Sequence, residues 1–432
     1  MKFNTCTLNV EYPVYGAQFL DNSTLLIAGG GGEGKNGIPN KLNTLTITET
    51  NTEDPKDHSL KLKSINEFEL EAEDDSPTAL DAHSGVVLVG CNENSNQIQN
   101  GKGNKHIRKF TYNNEDPKHE LKFIEGIDFD KSKDPNEYTK LINISKDGTL
   151  AAIASSNEPT KLRIIHPDEM SEIFEIESSS EIKDLQFSPN GKLITYITKN
   201  SLEMISTVTG KCVARNVSFD SNLNLSKIRF IDNDRIVIAA SFIKGTGIVL
   251  IAVDIKSGKA TITKSKLLSK KFKGITSMDV DSKGQLGAIS TNDNSLILIK
   301  LGSLQIGKLF KQVHDFAITK VAISPDSRYV ASVSAANTVN VISVPRAYAL
   351  SLSKSEIAYK TFTRFILIVL LAILFQHIVQ NDLHSKFMQY VADLNERRSK
   401  NNSTQSNYFV QTTLVGKHTT VADTIPSGTL SQ

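Results

Sequence analysis

Apolar and polar positions along this chain run in short bursts, and the bursts repeat. Each starts with an apolar residue, passes a short polar turn and returns as a strand of the form apolar-apolar-small-apolar-Ser/Thr/Gly. Ile144-Ser-Lys-Asp147-Gly148-Thr-Leu-Ala-Ala-Ile-Ala-Ser155 is one copy, and Phe187-Ser-Pro-Asn190-Gly191-Lys-Leu-Ile-Thr-Tyr-Ile-Thr198 is the next. Phe230–Ser241, Val280–Thr291 and Ile323–Ser334 follow, and looser copies begin at Phe19 and Leu80. Asp-Gly and Asn-Gly suit the turn because they accept the positive φ of tight hairpins. From Ile144 on, successive copies begin 43, 43, 50 and 43 residues apart, the period of a four-stranded propeller blade.

Seven copies predict an all-β fold, a seven-bladed β-propeller over residues 1–347. One blade cannot bury both faces of its sheet; a ring of seven can, and it leaves only short edges. The blades are of a degenerate WD-repeat type, because the signature dipeptides and every tryptophan are missing. The first two gaps are about 60 residues, so blades one and two carry insertions, near 48–63 and 92–121. A strand from Leu8 to Val14 is expected to close the ring on the last blade.

The pattern then changes. Phe365–Phe375 is an unbroken apolar run, and counted from Phe362 to Val379 it reaches the length that spans a bilayer. Arg364 can snorkel to the interface. A juxtamembrane linker over 348–361, a transmembrane helix over 362–380 and a polar tail over 381–432 are predicted. Arg346, Lys354, Lys360 and Arg364 before the span favour a cytosolic N-side. The start of the chain has no apolar signal-peptide region, which points the same way. The tail is then lumenal; Asn401 and Asn402 each open an N-x-Ser/Thr sequon there.

Composition narrows the function classes. Hydrophobic residues at 39% and charged residues at 22% suit a globular chain, and a net charge of +2 gives no argument for nucleic acid. Cys6, Cys91 and Cys212 lie far apart, with no metal spacing. No Ser-His-Asp or Cys-His set stands out; His58, His83, His106, His119, His166 and His314 are scattered and read mostly as surface or turn residues. Glu69, Glu71, Glu73, Asp74 and Asp75 form a solvated loop or a cation site. Lys102–Lys109 forms a solvated basic hairpin or a partner or lipid contact.

Gly29 to Leu42 carries the strongest chemical signal. Gly29, Gly34 and Lys35 match G-x-x-x-x-G-K, most of a phosphate-binding P-loop. The next residue is Asn36, which lacks the hydroxyl that holds magnesium. Gly37-Ile38-Pro39-Asn40 follows where a helix should open, and 40–47 alternates like a strand. The pattern is strand, glycine loop, strand. Its alternatives are a floppy surface loop or a loop whose inward carbonyls coordinate a hard cation. A bound cation would stiffen it and let Ile38-Pro39-Asn40 project as an apolar tip beside an amide that donates and accepts.

Gly29-Gly-Gly-Gly-Glu-Gly followed by Asn36-Gly-Ile-Pro-Asn40-Lys-Leu closely resembles the characteristic loop of the fungal endoplasmic reticulum exchange factor for the Sar-type GTPase. Asp74-Asp-Ser-Pro-Thr-Ala, Val89-Gly-Cys-Asn-Glu-Asn-Ser, Gly101-Lys-Gly-Asn-Lys-His and Phe272–Asp281 resemble it too. The resemblance implies a type II endoplasmic reticulum protein with a cytosolic propeller, whose potassium-organised loop speeds GDP release. That step starts COPII coat assembly and export to the Golgi, through which the protein could cycle. It implies Asn40 as the critical loop asparagine, with Ile38 and Pro39 as the tip. Carbonyls of Gly29, Gly30, Gly31, Gly32 and Gly34, with Asn40, are its candidate potassium ligands, and Asp75 or Asp74 a further one. The alternative is a non-catalytic membrane-anchored paralogue or adaptor acting on the same GTPase.

Overall fold

In the computed structural model, which describes residues 2–409 except 35, 51–58, 114, 117–118, 347, 352–353 and 382, the chain folds as two units, 1–351 and 352–432. The first is the expected ring: among the described residues, seven four-stranded antiparallel sheets, six with their strands in chain order and one combining the last three strands with the first.

The ring closes by a strand from the N-terminus. Asn4–Asn9 pairs antiparallel with Thr338–Ser343, Cys6 lying opposite Val341. The expected closing strand, Leu8–Val14, is therefore displaced. Asn9 Oδ1 accepts the Glu11 N–H at 2.9 Å and Glu11 adopts φ +68°, so the chain turns there. Val14 already begins the inner strand of blade one, Val14–Phe19.

The repeat has a chemical reason. Ser145 Oγ donates to Asp147 Oδ1 (2.6 Å) and accepts the Leu150 N–H (2.9 Å). Ser188 does the same with Asn190 and Leu193, and Ser324 with Asp326 and Tyr329. A Ser-x-Asp/Asn turn thus fixes the hairpins of blades three, four and seven locally.

Interblade burial explains the unbroken apolar strands. In Thr24–Gly29, Leu25 and Ile27 pack on Ala331, Val333 and Val341 of blade seven. Leu26 and Ala28 point the other way, onto Val87, Val89 and Phe110 of blade two. Alternate side chains face opposite neighbours, so a strand buried on both faces reads as continuously apolar.

Inner strands are also cross-linked. Asp81 accepts the Ile144 N–H, Asn143 the Phe187 N–H, Gln186 the Phe230 N–H and Asp279 the Ile323 N–H. Each rung carries a side chain of one blade to the backbone of the next.

Three histidines expected at the surface are buried: His106, His119 and His314. His314 is held by Thr338 Oγ1 (2.7 Å) and Ser332 Oγ (2.8 Å), and burial pulls its pKa from 6.5 down to about 4. The folded state thus disfavours the proton that the unfolded chain takes up first. This stabilisation is complete above about pH 6.5 and fades toward pH 4, a loss on the order of 3 kcal/mol. Urea unfolding at pH 7 and pH 4.5 should show it, and His314→Gln should flatten the slope; an unchanged slope refutes the assignment. His58 lies outside the described residues.

The second unit holds two helices. Lys354–Gln380 contains an apolar stretch, Ile357–Gln380, of 24 residues, about 36 Å at 1.5 Å per residue and enough for a bilayer core. It starts earlier than the predicted 362, because the second half of the linker, from Lys354, is itself helical. Its apolar side chains are exposed within the unit, Phe365 by 63%, as a lipid-facing helix requires. The polar tail is also helical, over Leu383–Phe409. Phe387, Tyr390 and Leu394 recur at helical spacing, and ion pairs Asp393–Arg397 (3.0 Å) and Glu396–Lys400 (2.7 Å) bridge successive turns. Residues 410–432 lie outside the described residues.

Candidate functional site

The glycine loop joins Thr24–Gly29 to Lys41–Thr50, the second and third strands of blade one. A P-loop needs a helix at this point, and a strand stands there instead. Lys35, the lysine of the near-match, lies outside the described residues.

Close backbone approach sets the loop's entry. Gly30 donates its N–H to Pro13 O at 2.9 Å. A Cβ on Gly29 would sit 2.0 Å from that same oxygen, and one on Gly30 2.0 Å from Asn40 Oδ1. Gly32 adopts φ +83°, a conformation that a side chain would strain.

Asn40 does not project. It is 3% exposed, and its amide bonds inward, to Gly32 and the Asp74 backbone. Oδ1 accepts the Gly32 N–H (2.9 Å), while Nδ2 donates to Asp74 O (2.8 Å) and Gly32 O (3.3 Å). A primary amide can satisfy the donor and the acceptor of one residue together, and here it fastens Gly32 to the Asp74 backbone. Ile38 is half-buried against the core shared by blades one and seven. Among the described residues the exposed surface of the loop is Gly34, Asn36, Gly37 and Pro39. The expected Ile38-Pro39-Asn40 tip therefore divides into an exposed proline, a packed isoleucine and a buried clamp.

Two further clamps act on the loop. Asn36 Nδ2 donates to Gly31 O (2.8 Å), and its Oδ1 accepts the Ile38 N–H (2.9 Å). Glu33 Oε2 accepts both the Ser95 N–H (3.2 Å) and the Ser95 hydroxyl. Ser95 opens a short helix, Ser95–Gln99, in the blade-two insertion.

The acidic and basic segments, read from sequence as solvated, meet each other. Asp74 and Arg108 are both buried, with Asp74 Oδ2 2.6 Å from Arg108 Nη1. Burial opposes the Arg108 charge, but the Asp74 hydrogen bond together with the negative charges that Asp74, Cys91 and Glu93 carry at the high pH where Arg108 titrates outweighs it and the pKa rises. Lys109 reaches Asp168 O (2.7 Å), and His106 meets Thr139 Oγ1 (2.8 Å). Asn92 accepts from Asn104 Nδ2 (3.1 Å) and donates to Glu137 O (2.8 Å). Lys102 and Lys105 remain exposed. The insertion is therefore a brace tied into blade three as well as blade two.

Asp75 borders the same loop. Its N–H goes to Asn92 O (3.0 Å), and its Oδ1 would lie 3.1 Å from a Cβ on Gly32. Cys91 donates to Asp75 O at 3.1 Å, and burial pushes its thiol up to about 12, so it stays protonated. Among the described residues no group of three or more His, Cys, Asp or Glu could hold a metal ion.

A family model described as "WD domain, G-beta repeat" matches residues 307–343, within blades six and seven. The guanine nucleotide-exchange factor SEC12 of Candida glabrata is 47% identical over 390 residues, covering 90% of this chain and 83% of that protein. The chain belongs to the SEC12 family of guanine nucleotide-exchange factors. Two putative guanine nucleotide-exchange factors called SED4 are also similar. That of Candida glabrata is 43% identical over 396 residues, and that of Saccharomyces cerevisiae 39% identical over 413. They cover 90% and 95% of this chain, which spans 37% and 38% of their length.

In a SEC12-family chain the loop has no bond to break, so what matters is which surfaces are held rigid. Sequence reasoning missed Glu33, Ser95, Asn92 and Arg108 as parts of the site. Their signal was present in the short polar blocks around Asn92 and Arg108, whose partners lie up to 62 residues away.

Proposed function

We propose that this chain promotes GDP release from a Sar-type small GTPase at the endoplasmic reticulum membrane, the step that starts COPII coat assembly. Family membership supports the reaction class, and the apolar helix Ile357–Gln380 supports a single membrane anchor with the propeller on the cytosolic side. The observation that carries the reading is the clamped loop. Asn40, Asn36 and Glu33 fix a glycine segment from three sides while Gly37 and Pro39 stay exposed.

Exchange breaks no covalent bond. A loop accelerates release only by binding the nucleotide-free partner more tightly than the GDP-bound one. A stiff protrusion does this better than a floppy one, because little entropy is lost when it is held against the partner. Pro39 and the adjoining backbone are the contact surface; Asn40 acts behind them as a positioning residue.

Potassium fits this loop by chemistry. The oxygens bordering it are carbonyls of Gly30, Gly31, Gly32 and Gly34, Oδ1 of Asn40 and the Asp75 carboxylate, all hard donors suited to a hard cation. Gly29, paired with Val14 and Lys41 at the strand end, adds a further carbonyl. A bound potassium ion would supply positive charge to draw those oxygens around it.

Fluorescence-monitored GDP release from the GTPase tests both claims. The chain should speed release at least tenfold, and potassium chloride should support several-fold faster exchange than N-methylglucamine chloride. Amide hydrogen exchange at Gly30–Gly37 should slow in potassium. Binding without acceleration would place the chain with the non-catalytic adaptors instead. Equal exchange rates and equal amide protection in both salts would remove the cation alone.

A further inference from the structure

The inner strands of the propeller enclose a cavity of about 600 Å³ along the ring axis. Blades two, three, four and six each place an acceptor at the interblade rung: Asp81, Asn143, Gln186 and Asp279. Blade five breaks the pattern with Arg229. Two residues earlier on the inner strands, blade four has Asp184, blade five Lys227, blade six Ser277 and blade seven Lys320. Three consecutive blades thus offer donors at an equivalent inner position, and all three line the cavity.

The cavity's carboxylates at this level are already committed. Asp184 takes the Ile228 N–H (2.9 Å) and Arg229 (2.7 Å). Asp279 takes the Ile323 N–H (2.8 Å) and lies 3.7 Å from Arg229. Asp81 is held by the Ile144 N–H and Asn143. Lys140 is paired with Glu181. Among the described residues neither Lys227 nor Lys320 has a hydrogen-bond or ion-pair partner. Ser277 Oγ accepts the Val321 N–H (3.0 Å) and keeps its own hydrogen to donate.

We infer that the propeller channel holds a phosphate-type oxyanion, gripped by Lys227 and Lys320 with Ser277 between them. Lys227 and Lys320 are half-buried in one cavity with no carboxylate bonded to either, and partly desolvated like charges held together cost free energy that a matching anion offsets. Burial lowers the pKa of Lys227; Asp184 opposes this, while Arg229, Lys320 and Lys140 add to it, so an anion here meets a crowd of cations with its acids engaged elsewhere. Oxyanions with several acceptor atoms suit three donors from separate strands better than chloride does.

The test uses the full-length chain in detergent micelles. Equilibrium dialysis against radiolabelled inorganic phosphate, at constant ionic strength in chloride, should find one phosphate per chain. Lys227→Met or Lys320→Met should each weaken binding at least tenfold, with GDP-release activity unchanged. Competition by pyrophosphate and by inositol hexakisphosphate distinguishes a free phosphate ion from a larger phosphorylated ligand. Acetic anhydride labelling read by peptide mass spectrometry needs no variant: phosphate should protect Lys227 and Lys320 several-fold and leave exposed Lys259 unprotected. No phosphate retained, equal displacement by chloride, or no selective protection overturns the assignment.

Discussion

Asn40→Ala should reduce catalysed GDP release by at least a hundredfold while the propeller stays folded. The substitution deletes three hydrogen bonds, to Gly32 N–H, Gly32 O and Asp74 O. It leaves Gly32 N–H and the Asp74 carbonyl unsatisfied in a buried place, at roughly 1–3 kcal/mol for such a group. That is small for a ring whose sheets do not depend on the loop. The loss falls on the loop, where the glycines lose the contact that selects one conformation from many. Asn40→Asp separates the roles: it can still accept from Gly32 but cannot donate to Asp74. It should behave like alanine if the clamp to Asp74 is what matters. Stopped-flow GDP release together with thermal melting decides this. A wild-type exchange rate for Asn40→Ala would sink the positioning role.

Arg108→Met should be the most destabilising change near the site, by about 3–5 kcal/mol, because it strands the buried Asp74 carboxylate without its cation. Exchange should fall as well, since Asp74 carries the backbone carbonyl that receives Asn40. The double variant Asp74→Leu/Arg108→Met removes both charges and should regain most of the stability. It keeps the Asp74-position carbonyl, so exchange should return with the fold. Urea unfolding and GDP release measured on both variants and the wild-type chain test this. Recovery of stability without recovery of exchange would show that the carboxylate itself acts in the reaction.

Much of the fold could be read directly from the chain. The hairpin chemistry of Ser145-Lys-Asp147-Gly148 and its relatives is local, made between residues two to five apart, so it leaves a periodic mark. The apolar strands mark blades because every strand such as Leu25–Ala28 is buried on both faces. The closing strand was misplaced by a few residues because the turn at Glu11 depends on one Asx contact, too slight to register in a pattern of apolar positions. The helix after Leu383 was missed because its few apolar residues are diluted by polar ones.

The candidate site was legible as a location and less so as a mechanism. A run of glycines ending in Asn36-Gly-Ile-Pro-Asn40 announces unusual backbone, and the missing hydroxyl and helix rule out a phosphate cradle. Which residues face outward did not follow. Asn40 and Pro39 are neighbours in sequence, yet one is buried and one exposed, and nothing in their types decides that.

Repetition and local turn chemistry, both short-range, settled the seven blades, the glycine loop between two strands and the apolar anchor from the sequence alone. Tertiary structure decided that Asn40 turns inward, that Asp74 meets Arg108 across 34 residues, that Glu33 reaches Ser95, and that Lys227 and Lys320 face one channel. Those pairings join different blades. They exist only once neighbouring blades have packed, because the geometry that brings distant backbone and side-chain groups within hydrogen-bond range is set by packing of whole sheets and by no local rule.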